Sequence, residues 1–375
     1  MNNSTRPEYF RLSDFTVGYD GLPLIRDISL SIERGKILTL IGPNGSGKST
    51  ILKTITKHLS KLSGVVFIDG RDTMALSNKE MARTVSVVLT DRIHPELMTC
   101  EDVVATGRYP YTNCMGRLTP LDAKVVAEAL EKVKASDLRY KSFCTLSDGQ
   151  RQRIMLARAI CQQADVIVLD EPTSFLDIRH RIELLEILRH MAVCDKVTII
   201  MSLHEIDIAA KVSDYILCVK GEHIYGFGAP EEVFTQDIVQ DLYDIPKGSY
   251  DVLLNDVELS KVSGDPAFFV IAGAGRGIPF YRALRRKELA FSTGILHEND
   301  VDYQVASSLA THISSQRPFE AITRDTYEEA KDEMLKIGRV IDASPPIGEF
   351  NVANRYLLDE AVERGLTILH SVSDV

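Results

Sequence analysis

Residues 42–50 read Gly-Pro-Asn-Gly-Ser-Gly-Lys-Ser-Thr, and the reading of this stretch decides the fold. A glycine, four free positions and then Gly-Lys-Ser is the spacing of a phosphate-binding loop. The apolar run KILTLIG precedes it and a helix is expected from near Lys48, so the loop joins a buried strand to a helix. Glycines in such a turn let backbone N–H groups point inward around phosphate oxygens, and the helix N-terminus adds positive potential. Lys48 is then the side chain that reaches the β and γ phosphates, and Ser49 supplies a hydroxyl for Mg²⁺. Gly42, Pro43, Asn44, Gly45, Ser46, Gly47, Lys48, Ser49 and Thr50 are the expected nucleotide contacts.

About 120 residues further on, Val166-Ile-Val-Leu runs into Asp170 and Glu171. An apolar strand that ends in two acids gives a phosphate-binding loop its companions. Asp170 is expected to hold Mg²⁺, and Glu171 to orient or deprotonate an attacking water; a positioned base is worth roughly 10²–10⁴ in rate.

Composition bounds the rest. The chain has 375 residues, 45% of them hydrophobic, and a net charge of −10. The length is enough for two domains. The acidic balance argues against a nucleic-acid partner or an anionic membrane surface, which want a basic face; Arg285-Arg286-Lys287 reads as a solvated helix end. Six cysteines (Cys100, Cys114, Cys144, Cys161, Cys194, Cys218) show no C-x-x-C pair and no zinc spacing, which fits buried thiols in a reducing compartment. No run approaches the roughly 18 apolar residues that span a bilayer. MNNSTRPEYF lacks the apolar core of a signal peptide, so a cytoplasmic protein is expected.

Along the chain, residues 8–34 alternate apolar and polar positions, as antiparallel strands do. VVFIDG and VSVVLT read as further strands. From about Asp91 the pattern turns helical, as in LDAKVVAEALEKVKA. DVIVLD and KVTIIMSL are continuous apolar runs, expected for parallel strands covered on both faces. DYILCVKGEHIYGFG reads as a closing hairpin, and KGSYDVLLNDVELSKVSGDP as a junction. After Asp265 strands and helices alternate afresh, from AFFVIAG to LTILHS, which predicts a second α/β unit with a mostly parallel sheet.

Residues 146–150, Leu-Ser-Asp-Gly-Gln, lie between the loop and the acidic strand end. The order of phosphate-binding loop, LSDGQRQR, VIVLDEPTSFLD and SLHE resembles that of ATP-binding cassette (ABC) ATPase subunits over residues 8 to about 245. The resemblance implies a P-loop α/β ATPase with an antiparallel β subdomain and an α-helical subdomain (about 91–160), spanning 1–250. A linker (251–264) and a Rossmann-like α/β domain (265–375), read as regulatory, would follow. It further implies ATP and Mg²⁺ in a head-to-tail homodimer, where Ser147, Gly149 and Gln150 of one chain meet the γ-phosphate held by the other. Tyr19 takes the position of an aromatic that stacks on adenine, His204 that of the switch histidine at the γ-phosphate, and Asp177 that of a loop crossing the dimer interface. The catalytic set is Glu171, His204 and Lys48; the metal set is Ser49, Asp170 and Thr90.

Thr90 is a departure, because the family places a glutamine there and none lies between residues 50 and 149. The segment after it, LMTCEDVVATGRYPYT, resembles importer ATPases for iron-siderophore, haem and cobalamin uptake through Val104, Gly107, Arg108, Pro110 and Tyr111. This segment is expected to face two transmembrane permease subunits, which would hold the chain on the inner face of the cell membrane, with a substrate-binding protein as a further partner. An exporter subunit or a soluble assembly ATPase is the alternative.

In the C-terminal unit Phe269 to Pro279 is a strand running into the glycine-rich turn GAGRG. Its third glycine comes one residue early for G-x-G-x-x-G. The turn is open to two readings, a tight turn or a small-molecule site, and a sensor of cargo or nucleotide competes with a dimerisation module. His297, Glu298 and Asp300 share one loop and are loosely spaced candidate metal ligands.

Overall fold

The computed structural model describes residues 8–89, 95–113, 116–174, 176–245, 250–251, 256–257 and 259–375. The chain divides into two units, Met1–Tyr243 and Asp244–Val375.

In the first unit, β1 (Phe10–Tyr19) and β2 (Leu22–Ile32) pair antiparallel. An irregularity between Leu12 and Phe15 shifts the alternation by one, so Phe10 and Leu12, then Phe15 and Val17, are buried. The wholly buried β3 (Ile37–Ile41) leads through the phosphate-binding loop into α1 (Lys48–Ile55). β4 (Ser63–Ile68) and β5 (Arg71–Asp72) complete a sheet of order β2–β1–β4–β5. The helix α2 (Asn78–Thr84) then precedes β6 (Val85–Val88).

The helical stretch contains α3 (Cys100–Ala105), α4 (Pro120–Lys132) and α5 (Asp148–Cys161). Each starts at a reciprocal cap: Thr99 with Asp102, Thr119 with Asp122, Ser147 with Gln150. In each, the hydroxyl accepts from one otherwise unpaired first-turn N–H and the partner side chain reaches back to the cap's own N–H.

β7 (Val166–Leu169), α6 (Ile178–Val193), β8 (Thr198–Ser202) and α7 (Ile206–Val212) follow, then the hairpin β9 (Tyr215–Lys220) and β10 (His223–Gly228). The second sheet has order β10–β9–β3–β8–β7–β6 and is parallel except for β10. Side chains of α1 and both sheets share one core, with Phe10, Phe15, Ile51, Leu52, Val168 and Ile200 inside it. Because β3, β8 and β7 are parallel neighbours, their C-terminal ends open on the same edge, where ligands of such sheets bind. α8 (Pro230–Val233) and α9 (Gln236–Tyr243) pack on the hairpin.

The second unit opens with a short antiparallel pair, β11 (Tyr250–Asp251) and β12 (Asp256–Val257), inside the stretch read from sequence as a junction. Then come β13 (Phe268–Ile271), α10 (Ile278–Arg286), β14 (Phe291–His297), α11 (Val301–Leu309), β15 (His312–Gln316), α12 (Arg324–Ile337), β16 (Arg339–Asp342), α13 (Ala353–Glu363) and β17 (Thr367–Leu369). The sheet is parallel, with order β15–β14–β13–β16–β17. One face packs Tyr281, Leu284, Val305 and Leu309 from α10 and α11. The other packs Ala330, Met334, Leu357 and Ala361 from α12 and α13. Among the described residues no helix is long and apolar enough to cross a membrane.

Candidate active site

Gly42 leaves β3 where any side chain would collide: a Cβ there would stand 2.1 Å from the Val219 carbonyl oxygen. The loop delivers α1 with no side-chain cap and no acidic residue in its first turn. That helix end keeps its positive potential for an anion. The Ser46 hydroxyl is buried and has no hydrogen-bond partner among the described residues, an orphan that a phosphate oxygen would satisfy. Lys48 is buried, and its Nζ donates to the Gly42 and Pro43 carbonyls over 2.7 and 3.0 Å. Burial lowers its pKa from the usual amine value, while the Glu171 and Asp170 charges oppose the shift.

Ser49 Oγ donates to Asp170 Oδ1 at 3.0 Å, and Ser202 Oγ donates to the same oxygen at 2.7 Å. Asp170 is buried at the end of β7. Glu171, next in the chain, takes a left-handed backbone conformation at φ 48°, a conformation that costs energy for a residue with a side chain. Its N–H donates to Ser202 Oγ at 2.9 Å. One of its carboxylate oxygens lies 2.6 Å from His204 Nε2, and the other accepts from Ser174 Oγ at 3.1 Å. Tyr19 Oη and Thr50 Oγ1 are 3.0 Å apart, and the Tyr19 ring is 51% exposed. Tyr19, Asn44, Gly45, Gly47, Lys48, Ser49, Thr50, Glu171 and His204 line one cavity of 310 Å³, joined by Leu24.

Ser147, Gly149, Gln150 and Asp177 do not line that cavity. Ser147 caps α5 through the Gln150 N–H at 3.3 Å, and the Gln150 amide oxygen accepts from the Ser147 N–H at 3.2 Å. Asp148 accepts from Arg151 Nη1 at 3.0 Å, which turns its carboxylate along the helix. Asp177 caps α6 through the His180 N–H at 2.9 Å. Thr90 lies outside the described residues.

Sequence reasoning missed Ser202; it read Ser174 with Asp177 as part of a loop crossing the dimer interface, without its bond to Glu171. Ser202 ties the two acids together, and its signal was a hydroxyl directly after the apolar run Ile199–Met201. The importer-like run is part buried and part exposed. Val104 and Arg108 are buried, so they do not present an outward surface. Arg108 donates to Asp122 Oδ1 at 2.8 Å, to the Cys161 carbonyl at 2.9 Å and to Gln163 Oε1 at 2.8 Å, and its guanidinium lies 3.9 Å from the Tyr111 ring centre. These residues fasten α4 to the end of α5, while Leu97 and Tyr109 of the same run are exposed. In the second unit the metal reading fails: among the described residues no group of three or more His, Cys, Asp or Glu is arranged to hold a metal ion. His297 Nε2 instead meets the Glu320 carbonyl oxygen at 2.8 Å.

Comparison with known proteins agrees with this geometry. The ABC transporter family model matches residues 25–174, and the MJ0874 family model matches residues 291–374. An uncharacterized ABC transporter ATP-binding protein of Methanocaldococcus jannaschii, MJ0873, is 42% identical over 275 residues, 73% of this chain and 95% of that protein. The cobalamin import ATP-binding protein BtuD of Halobacterium salinarum is 30% identical over 349 residues, 91% of this chain and 87% of its own. The probable siderophore transport system ATP-binding protein YusV of Bacillus subtilis is 35% identical over 230 residues, covering 61% and 84%. Among solved structures, cbiO1 from Clostridium perfringens, part of the ABC transporter complex cbiONQ, aligns with a TM-score of 0.54 at 26% identity, over 63% of this chain and 94% of that one. The dimeric cassette MJ0796 shares the fold, with a TM-score of 0.53 at 24% identity over 59% and 98%. The phosphate-binding loop, the paired acids and these relatives lead to one assignment: the chain belongs to the family of ABC transporter ATP-binding proteins.

Proposed function

We propose that the chain is the ATP-hydrolysing subunit of a membrane importer for a metal chelate of the iron-siderophore, haem or cobalamin kind. The observation that carries the ATPase part is the meeting of Lys48 and Ser49, Glu171 and His204 around one cavity at the ends of neighbouring parallel strands. The importer part rests on the cobalamin and siderophore relatives.

ATP is the substrate. The uncapped start of α1 and the orphaned Ser46 hydroxyl fit its phosphates, and the Tyr19 ring fits its adenine. Glu171 orients a water in line with the γ-phosphorus and takes its proton as the new P–O bond forms and the bond to the bridging oxygen breaks, giving ADP and phosphate. His204, 2.6 Å from Glu171, fixes that carboxylate and faces the γ-phosphate. Lys48 lies among backbone carbonyls at the mouth of the loop, within reach of the transferred group's charge. Catalysis is therefore positioning plus charge stabilisation.

The hydroxyl of Ser49 and the buried oxygen of Asp170 form a hard-oxygen pair of the kind that suits Mg²⁺, with Thr90 as a third donor. Bound there, the ion would neutralise charge on the β and γ phosphates.

Two copies pair head to tail, so that Ser147, Gly149 and Gln150 of one reach the γ-phosphate held by the other, and Asp177 lies at their interface. The exposure of Ser147 and its absence from its own chain's cavity lining support this. Two permease subunits hold the dimer at the inner face of the membrane, and a substrate-binding protein delivers the cargo. A groove of 530 Å³ lined by Met81, Leu89, Met155 and Arg158 suits a permease contact. The C-terminal unit is a regulatory module. The test is to purify the tagged full-length chain from the membrane fraction of its host and identify what accompanies it. A permease with many apolar spans, whose vesicles take up chelate with ATP, is the expected result. Recovery with soluble assembly proteins and no membrane protein would overturn the reading.

A further inference from the structure

The turn 273–277 leaves the C-terminal end of β13, and the order of the second unit's sheet reverses between β13 and β16. Open parallel sheets take ligands at that switch point, with a phosphate on the glycine-rich turn and the following helix N-terminus. In this unit the N–H groups of Ala274, Gly277 and Ile278 are already taken by carboxylates of the same chain. Ala274 N donates to Asp300 Oδ2 at 2.8 Å. Gly277 N donates to both oxygens of Asp302 at 3.1 Å, and Ile278 N to Asp302 Oδ1 at 3.2 Å. Asp302 N in turn donates to Asp300 Oδ1 at 2.9 Å, so the two acids brace each other.

Asp302 is fully buried. Burial pushes its carboxyl pKa up and the backbone N–H bonds pull it back. The glycines have another reason to be there. A Cβ on Gly277 would stand 2.6 Å from Ala272 and from the ring of the fully buried Tyr281, so this glycine serves packing and not the approach of a phosphate. Across the crevice, Arg276 Nη1 donates to the Ser344 carbonyl at 2.8 Å. A Cβ on Gly273 would meet Pro345 at 3.4 Å, so the two loops already touch.

We infer that the C-terminal unit carries its own anion: Asp302 and Asp300 occupy the place of a phosphate, and the glycine turn therefore takes no nucleotide or other phosphate ester. A phosphate arriving there would find its donors engaged and a like charge in a low-dielectric setting. Any control this unit exerts does not run through a phosphate on this turn, and this holds whatever the first unit transports.

Hydrogen exchange of the full-length chain, read by mass spectrometry on the peptide covering 272–285, tests the inference apart from the first unit's own phosphate loop. In the parent chain, millimolar inorganic phosphate or NADH is expected to leave that peptide's exchange unchanged. Asp302→Ala empties the cradle, so exchange there should quicken about tenfold and slow again with phosphate. Asp300→Ala, at the half-exposed mouth, is the milder variant should the first not fold; it frees Ala274 N, and the same phosphate-dependent slowing is expected. Phosphate- or NADH-dependent protection in the parent chain would overturn the inference. So would an Asp300→Ala chain whose turn neither loosens nor answers to phosphate.

Discussion

His204 Nε2 lies 2.6 Å from a carboxylate oxygen of Glu171, whose other oxygen accepts from Ser174. The glutamate is thus held from both sides at the edge of the cavity that contains Lys48. Glu171→Gln keeps the size and loses the basicity. ATP hydrolysis should fall by roughly 10²–10⁴, with ATP affinity kept within a few-fold and a dimer trapped with ATP. Steady-state rates together with size-exclusion chromatography in ATP check this; hydrolysis at the parent rate would remove Glu171 from the role of base.

Ser49 and Ser202 both donate to one oxygen of Asp170. Ser49→Ala removes a proposed metal donor, whereas Ser202→Ala removes only support behind the acids. The Mg²⁺ concentration for half-maximal hydrolysis should rise about tenfold or more in the first and far less in the second, since a lost ligand weighs more than a lost supporting bond. Equal shifts would contradict the assignment.

Asp148 pairs with Arg151 on the surface of α5, where an ion pair contributes about 0–1 kcal/mol. Asp148→Gly should therefore leave hydrolysis within a few-fold and the melting temperature within a few degrees. Ser147→Arg should abolish hydrolysis while the fold survives, as circular dichroism would report.

Arg108 and Asp122 form a buried pair. Asp122→Ala leaves the guanidinium buried without its counter-charge and should cost about 3–5 kcal/mol in chemical denaturation. The hydroxyl and N–H of Thr119, then Arg108, hold the Asp122 carboxyl down at about 2. A carboxyl depressed in the fold stabilises it above the unfolded value of about 3.9, and that contribution is lost as pH falls toward 2. The parent's stability should drop through that window, and the Asp122→Ala chain should lose less there.

Much of the fold was legible because both units alternate buried strands with amphipathic helices. β3, β7 and β8 are dominated by apolar residues and wholly buried, and α3, α4 and α5 announce their starts with Thr99, Thr119 and Ser147 three residues ahead of Asp or Gln. The two-residue strands β11 and β12 carry too little periodicity to be read. The phosphate loop and paired acids were legible because spacing along the chain fixes their chemistry. The buried pairing of Arg108 was not legible, because a motif does not tell whether a charge faces a partner or a buried carboxylate; Asp122 lies on another helix and is adjacent in space. The closing of the 273–277 turn by Asp300 and Asp302 was invisible for the same reason.

The shared ATP site is the central claim, and mixing two inactive chains tests it most directly. Lys48→Ala and Ser147→Arg chains should each be inactive alone. In a mixed head-to-tail dimer one site combines an intact Lys48 with an intact Ser147, so an equimolar mixture should recover up to about a quarter of the parent ATPase rate. A mixture that stays at the level of the separate variants would contradict an ATP site built from two copies of the chain.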